Sequence, residues 1–361
     1  MKTTIEDVAR LAGVSTGTVS NALTGKRPVA EETQKRIFAA MEELGYQPNL
    51  LARGLVNRRS HVISVVIKEL SDLGFYGYSS AMTGIQREAK RLGYSLMLHF
   101  VDRSSDEEIS TTLNQIQARR SDGIIWAIHE IAGNRDWVHD IQDKNYPPII
   151  FLHMHPDPFL NVVSIDNRSG ARMAVAHLIE QGCRKIGIIT GPMDWWESQA
   201  RLEGWRDSLE KAGMDPDPSL MVAGNWLTDS GQAGMEILLN RHPELEAVFA
   251  FNDSMALGAI HTACSYGLSI PEDLLLVGFD NMPEASSFWP PLTSVRQGMM
   301  KSGQLAVEEL NRIIEANESE YRAPRQHILQ PELFIRRSSM RGLGQKAAGS
   351  SVAQEQQNKS Q

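Results

Sequence analysis

The sequence predicts an α/β protein: a small all-helical head, then two similar lobes, each built on a doubly wound parallel sheet. Three observations carry this. From His61 onward, short and nearly continuous apolar runs alternate with amphipathic stretches of helical length. Such alternation means parallel sheets covered on both faces. Residues 1–45 show helical spacing only, punctuated by Gly13, Gly25 and Gly45. The length of 361 residues corresponds to two or three domains at about 150 residues each.

In the head, Thr4 can cap a first helix, with Asp7 three residues on in capping-box spacing. Ile5, Val8, Ala9, Leu11 and Ala12 supply its apolar face, and Gly13 stops it. Ser15 can cap a second helix with Val19, Ala22 and Leu23 inward, closed by Gly25. A third is predicted over 31–44, with Ile37, Phe38, Met41 and Leu44 inward. The strand candidates are HVISVVI, YSLMLHF, DGIIWAI, PPIIFL, VVSID, KIGIIT, AVFAF and LLLVGFD. Helical stretches between them include 82–92, 106–119, 168–181, 231–240 and 254–266. Eight strands divide most simply into two lobes of four or more. The end of the chain, 341–361, is rich in Gly, Ser and Gln without apolar periodicity, the composition of a disordered tail.

Composition narrows the class. Hydrophobic residues at 42% and charged residues at 22% are the balance of a soluble globular protein. Two cysteines, Cys183 and Cys264, cannot build a disulfide framework or a Cys-rich zinc site. MKTTIEDVAR has no apolar signal region, and no run approaches the roughly 20 apolar residues of a membrane span. The expected setting is the cytoplasm, with no membrane partner. Net charge is −8, yet residues 1–60 hold nine Lys or Arg against six acids, leaving −11 on the rest. A basic head on an acidic body admits a polyanion partner at the N-terminus only.

The segment from Asp7 to Val19 has helix-turn-helix spacing: small Ala9 where two helices cross, Gly13 at the turn and Val19 anchoring the second helix. Thr16, Gly17, Ser20 and Asn21 would then face outward, short enough to enter a major groove. A generic helical hairpin would satisfy the same spacing. Gly13-Val14-Ser15-Thr16-Gly17 also matches the G-x-S-x-G nucleophile elbow, but that elbow needs a buried strand before the serine. Here the charged helix EDVARLA precedes it. Further on, Pro48 breaks the chain and Asn49 can cap a helix of about two turns, which is marginal alone. Gly54 weakens it by about 1 kcal/mol relative to Ala.

These residues carry a resemblance. TIEDVARLAGVSTGTVSNALTG and VAEETQKRIFAAMEELGYQPNLLARGL resemble the lactose-repressor/galactose-repressor (LacI/GalR) family of transcriptional regulators. The likeness continues in order through SIDNRSGARMAVAHL, GIITGPMDWWESQARLEGW, AVFAFNDSMALGAI, IPEDLLLVGFDN and PPLTSV. It implies a DNA-binding headpiece over 1–48, a hinge helix and linker over 49–60, and a two-lobed periplasmic-binding-protein-like core over 61–340. The N-lobe is expected over about 61–162 and 293–325, the C-lobe over about 163–292 and 326–340. It also implies homodimers on a roughly palindromic double-stranded operator. The DNA-contacting residues expected on this basis are Thr4, Ser15, Thr16, Gly17, Ser20, Asn21, Ala52, Arg53 and Leu55, with Leu55 wedging into the minor groove. Departures matter. Ala30 stands where the family commonly has a Ser or Thr cap. Thr16 and Gly17 replace larger polar residues of the lactose repressor, and Asn21 replaces an arginine, so its operator sequence does not transfer.

In doubly wound sheets, ligands lie beyond the carboxyl ends of strands. Asp166-Asn167, Asn252-Asp253 and Asp280-Asn281 follow three such strands, and carboxylates or amides there can bond sugar hydroxyls. Asp166 and Asp253 can equally be helix caps. By resemblance Arg201 forks onto a hydroxyl pair or a carboxylate, Trp195 and Trp226 stack on a pyranose, and Tyr78 lines the opposite lobe. The expected effector-binding set is Tyr78, Asp166, Trp195, Arg201, Trp226, Asn252 and Asp280. His153-Met154-His155 has strand-type metal spacing, but no further ligands complete a site in the sequence, and neither metal nor cofactor is expected. No Walker loop, G-x-G-x-x-G or Ser/His/Asp set speaks for an enzyme. The reading is a repressor controlled by a small carbohydrate. The alternative, a sugar receptor with no DNA role, would carry a signal peptide and lack the helical head.

Overall fold

The computed structural model describes residues 3–24, 27–46, 59–68, 76–102, 105–140, 145–316 and 323–341. The expected hinge over 49–56 and the tail beyond 341 lie outside the described residues.

The head contains α1 (Ile5–Ala12), α2 (Thr16–Thr24) and α3 (Glu31–Glu43). The Asp7 carboxylate accepts from Thr4 N at 3.0 Å and Thr4 Oγ1 at 2.8 Å, which ties down the start of α1. Gly13 takes the left-handed conformation, φ 65°, that lets the Val14 N–H return to the Ala9 carbonyl at 3.0 Å. Ser15 Oγ then accepts from Thr18 N at 3.1 Å and opens α2. Val8, Ala9, Ala12, Val19, Ile37 and Ala40 form the buried core. Leu11 and Phe38 correct the expectation: they are 47% and 48% exposed. Phe38 points about 100° away from buried Ile37, and in α3 that direction faces solvent.

The core begins with β1 (Val62–Ile67), whose approach is held by Asp122: its carboxylate accepts from Ser60 N, Ser60 Oγ and His61 N at 2.7, 2.9 and 2.8 Å. There follow α4 (Tyr76–Arg91), β2 (Ser95–Phe100), α5 (Asp106–Ala118), β3 (Gly123–Trp126), β4 (Ile149–Leu152) and β5 (Asn161–Ile165). Next come α6 (Asn167–Glu180), β6 (Ile186–Thr190), α7 (Trp196–Lys211), β7 (Met221–Ala223), α8 (Thr228–Arg241), β8 (Ala247–Ala250), α9 (Asp253–Ser265) and β9 (Leu275–Asp280). β10 (Thr293–Arg296), α10 (Met299–Glu315), β11 (Gln326–Leu329) and β12 (Glu332–Phe334) complete it. The N-lobe sheet has order β11-β5-β4-β3-β1-β2 and the C-lobe sheet β12-β10-β9-β8-β6-β7. Within the C-lobe sheet, β12 runs antiparallel to β10.

The lobe boundaries need correction. Position 162 bisects β5, which continues to Ile165 paired with Leu329 of β11 in the N-lobe sheet. β10 belongs to the C-lobe, with Thr293 opposite Val277 of β9, although it was expected in the N-lobe. β11 belongs to the N-lobe rather than the C-lobe. The chain therefore changes lobe three times, after β5, after β10 and between β11 and β12, because a strand completes its ladder before the chain leaves its sheet.

Apolar side chains fill both faces of each sheet, with Ile63, Val65 and Ile67 on one side of β1 and Val66 on the other. In the N-lobe, α4 and α10 touch through glycines: a Cβ on Gly84 would sit 2.0 Å from the Met300 carbonyl, and one on Gly303 2.1 Å from that of Ala81. Only glycine allows this approach, which sets α10 directly behind the cleft-facing end of the sheet.

Candidate functional site

A cleft of about 90 Å³ lies between the lobes, at the carboxyl ends of both sheets. His153 follows β4, Asn167 follows β5, Asn252 follows β8 and Asp280 ends β9. At three such ends the backbone is left-handed without glycine: φ is 56° at His153, 73° at Trp226 and 108° at Asp280. Such strain persists only where the surroundings over-determine it, and it gathers at ligand sites.

Arg201, on the second turn of α7, is 3% exposed. Its Nε donates to Asn167 Oδ1 at 2.8 Å, Nη1 donates to the Phe251 carbonyl, and Cζ lies 3.8 Å from the Phe279 ring centroid. Burial lowers its pKa, while Asp280, Glu197 and Asp253 hold it up. Loss of solvent pushes the Asp280 carboxyl up to about 6, against the pull of Arg201 and a hydrogen bond from Gln297 Nε2. The cleft's aromatic wall runs from Trp226 to Trp195 (5.5 Å), to His129 (4.8 Å) and to His153 (4.3 Å, stacked). Trp226 is seated on Gly191, where a Cβ would come within 2.1 Å of its ring.

A clasp joins the lobes beside this wall. Ile131 and Trp195 form an antiparallel bridge; Trp196 N donates to the Glu130 carbonyl at 3.1 Å, and Ala132 N to that of Asp194 at 2.9 Å. His129 Nδ1 adds a 2.6 Å hydrogen bond to Glu197 Oε1.

Of the expected set, Tyr78, Trp195, Arg201, Trp226, Asn252 and Asp280 line this cleft. Tyr78 is buried, and its hydroxyl donates to the Ala127 carbonyl at 2.5 Å. Asn252 caps α9 through Met255 N at 2.8 Å and donates to the Trp226 carbonyl at 2.8 Å, so half of its amide is structural. Asp166 does not line the cleft: it caps α6, accepting from Ser169 N at 2.9 Å, and its neighbour Asn167 takes the cleft position. Asp253 is neither cap nor lining. Buried beneath, it accepts from Ser294 Oγ at 2.5 Å and Met282 N at 2.8 Å.

Sequence reasoning passed over His129, Glu197 and Gln297. The strand-end rule applied to β5, β8 and β9 would have found His129 beyond β3, and Glu197 stands one turn before Arg201. His153 was weighed only with His155, which instead pairs with Glu130 at 2.8 Å. Among the described residues, His129, His153 and Glu197 are the group with metal-ligand composition, their atoms within 4.8 Å of one another. The two rings stack with only 25° between their planes. Their in-plane lone pairs thus do not converge on one ion at the ~2 Å that imidazole–zinc bonds need.

In the head, Thr4, Ser15, Thr16 and Gly17 are exposed, while Ser20 and Asn21 are half-buried. Thr4 and Ser15 are engaged in capping, and Thr16 and Gly17 stand at the N-terminus of α2, where free N–H groups favour anions. Ala52, Arg53 and Leu55 lie outside the described residues.

Comparison with known proteins agrees with this division. Residues 4–49 match the model for bacterial regulatory proteins of the lacI family, and 175–339 match a periplasmic binding protein-like domain. The HTH-type transcriptional repressor PurR of Aliivibrio salmonicida is 32% identical over 336 residues, spanning 93% of this chain and 98% of its own. The HTH-type transcriptional regulator CelR of Thermobifida fusca is 33% identical over 341 residues, 93% and 98% of the two chains. Among solved structures, a complex of the regulator CelR with cellobiose superposes with a TM-score of 0.69 at 32% identity, covering 93% of this chain and 99% of that one. The lac repressor dimer bound to operator and the anti-inducer ONPF gives 0.82 at 28%, covering 94% and 100%. No helix among the described residues is long and apolar enough to cross a membrane. With a helix-turn-helix head, a two-lobed ligand-binding core and full-length relatives that are regulators rather than enzymes, this chain belongs to the lacI family of DNA-binding transcriptional regulators.

Proposed function

We propose that this protein is a homodimeric repressor, working in the cytoplasm, whose hold on a roughly palindromic operator is controlled by a small neutral carbohydrate in the interlobe cleft. The observation that carries the ligand class is the charge balance around Arg201. Among the described residues it is the one Lys or Arg lining the cleft, and Asp280 and Glu197 line it too. A phosphorylated ligand would meet more carboxylate than cation, whereas hydroxyls can donate to the acids, and Trp195 and Trp226 offer faces to a sugar ring. The cellobiose complex of a relative supports this class. A dimer is supported by the operator-bound relative. Leu98 and Phe100, 40% and 47% exposed on edge strand β2, provide apolar surface that a second copy would cover.

Control runs through the hinge over 49–56. It is too short and Gly-weakened to be helical alone, so its order comes from dimer contacts and DNA. A ligand that resets the lobes biases that order from the other end, as allostery requires.

The test is operator binding by the purified protein with and without a panel of neutral sugars, cellobiose first. A bound sugar should stabilise the protein by RT ln(1 + [L]/Kd), raising its melting temperature, and change operator affinity. Tight binding of a purine or a phosphorylated sugar instead would overturn the ligand class. Leu55→Ala should weaken operator binding far more than binding to random DNA and leave sugar affinity unchanged; equal losses on both DNAs would remove the hinge from the mechanism.

A further inference from the structure

Two tied segments at the start of β1 carry a charge of the wrong sign for their surroundings. Residues 59–62 lead out of the head, and residues 119–122 join α5 to β3. They are held together by the three hydrogen bonds to the Asp122 carboxylate and by Asp122 N donating to the Val62 carbonyl at 2.8 Å. Between them they carry Arg59, Arg119 and Arg120 against one acid, Asp122, whereas residues 61–361 as a whole stand at −11. Arg119 and Arg120 are exposed. Arg120 is also left-handed, with φ 55°, two residues past the end of α5. At the same place after α4, α6, α7 and α9 the left-handed residue is a glycine: Gly93, Gly182, Gly213 and Gly267. A side chain is strained there, and such strain is kept where the side chain has a task. A cation complements the end of a helix dipole, but Arg119, one residue earlier, supplies that without a left-handed backbone.

We propose that the 119–122 loop is a second DNA-contacting surface, in which Arg119 and Arg120, beside Arg59, meet backbone phosphates next to the hinge. The hinge expected over 49–56 ends three residues before Arg59, a span of at most about 11 Å. Asp122 fixes the loop to the chain where that span ends. The surface is therefore continuous with the one that the head and hinge present, and its charge complements DNA. Arginine suits the task, because its guanidinium offers paired donors to a phosphate. Phosphates carry no sequence information, so the loop adds hold and register rather than choice of site. It cannot replace the head, since a few cations per copy stand against a core of −11. A ligand that resets the lobes then acts on DNA twice, through the order of the hinge and through the place of these arginines. The inference rests on the hinge reading above.

The probe is the tightest palindromic duplex that the full-length wild type selects from a random pool, titrated across about 50 to 200 mM salt. Arg119→Gln and Arg120→Gly should each lower the log–log slope of affinity against salt by about 1.8, two contacts per dimer at about 0.9 each. Over that range the wild type should therefore lose about tenfold more affinity than either variant. Arg120→Gly should melt no lower than the wild type, since glycine takes φ 55° without strain, so its weaker binding cannot come from unfolding. Arg206→Gln, at an exposed arginine of α7, makes the same change of net charge and should keep the wild-type slope. Neutral methylphosphonates scanned along the duplex should weaken the wild type at positions near the centre of the palindrome where Arg120→Gly is indifferent. Wild-type slopes in both loop variants, with Leu55→Ala still losing the palindrome selectively, would sink the loop contact and leave the hinge reading standing. Weaker binding at an unchanged slope would make the loop a support for the hinge and overturn the contact. If Leu55→Ala loses palindrome and random DNA equally, the hinge reading falls and the loop contact falls with it.

Discussion

In the head, the side chains offered to a partner are short and exposed, Thr16 and Gly17 among them, and the fold rests on six buried residues. In the cleft, the groups that face a ligand are large and mostly buried: Arg201 at 3% exposure and Tyr78 at 3%, with Trp226 wedged onto Gly191. The contrast follows from what each must read. Most of the affinity for DNA comes from phosphates along an open surface, where exposed groups suffice and salt weakens them. The neutral sugar proposed for the cleft offers no such charge, so its recognition would depend on hydrogen bonds strengthened by removal from water. The head should therefore tolerate change in its contacts but not in its small core, and the cleft the reverse.

The largest effect should come from separating the two regions. Deleting residues 1–58, which keeps Ser60 on Asp122, should abolish operator binding and leave sugar affinity at its full-length value. A truncated core that still retards operator DNA would break the comparison outright. Next, Arg201→Ala removes a buried cation bonded to Asn167 and the Phe251 carbonyl. Sugar affinity should fall about a hundredfold, from roughly 3 kcal/mol of charged hydrogen bonding, while the ligand-free protein still binds operator. Loss of both activities would mean that Arg201 only holds the fold.

The pH dependence of the cleft is a smaller effect with a defined sign. Asp280 rises from its ordinary 3.8 to about 6 in the folded protein. Its protonated form is thus favoured by folding, and the resulting stability is complete below pH 4 and lost as pH climbs through 6. A sugar hydroxyl donates more strongly to the Asp280 carboxylate than to its protonated form, so sugar affinity should strengthen between pH 5 and 7. Asp280→Asn should flatten that profile. A wild-type affinity constant across this range would show that the ligand does not bond Asp280.

How much of this was legible depends on length and on partnership. The eight strands read from apolar runs all exist, because each run covers a strand of at least four residues; all but edge strand β2 are mostly buried. β7, β10, β11 and β12 were missed: each is three or four residues, with exposed positions such as Gln326 and Glu332 or, in β10, buried but polar Thr293 and Ser294, so none carries an apolar run. Lobe boundaries failed for the same reason, since only pairing reveals that β10 and β11 exchange sheets. In the cleft, Arg201 and Asp280 came from resemblance and strand-end position. Asp166 did not hold, because a cap and a ligand-binding acid look alike until the Ser169 N–H is located. Glu197 and His129 were each in reach of the strand-end rule or of Arg201's helix, but their pairing across 68 positions of sequence was not.

The smallest prediction sharpens the comparison from the side of the head. α3 begins at Ala30, which has φ −56° and ψ 139° and no side chain able to cap. Its carbonyl already accepts from Gln34 N at 3.0 Å, so the backbone has cap geometry and lacks only an acceptor for the following N–H groups. Glu31 and Glu32 in the first turn compensate in part through the helix dipole. Ala30 is exposed, so a hydroxyl there displaces no packing. Ala30→Ser should add about 1 kcal/mol to the stability of the head, the usual worth of such a cap. In thermal unfolding followed by hydrogen exchange, amides of α3 should gain about fivefold protection while those of β6 and β8 stay unchanged. Sugar affinity should not move, because nothing in the cleft depends on how α3 begins. Unchanged protection in α3 would mean that the two glutamates already satisfy that end of the helix, and that the head is held more firmly than its six-residue core implies.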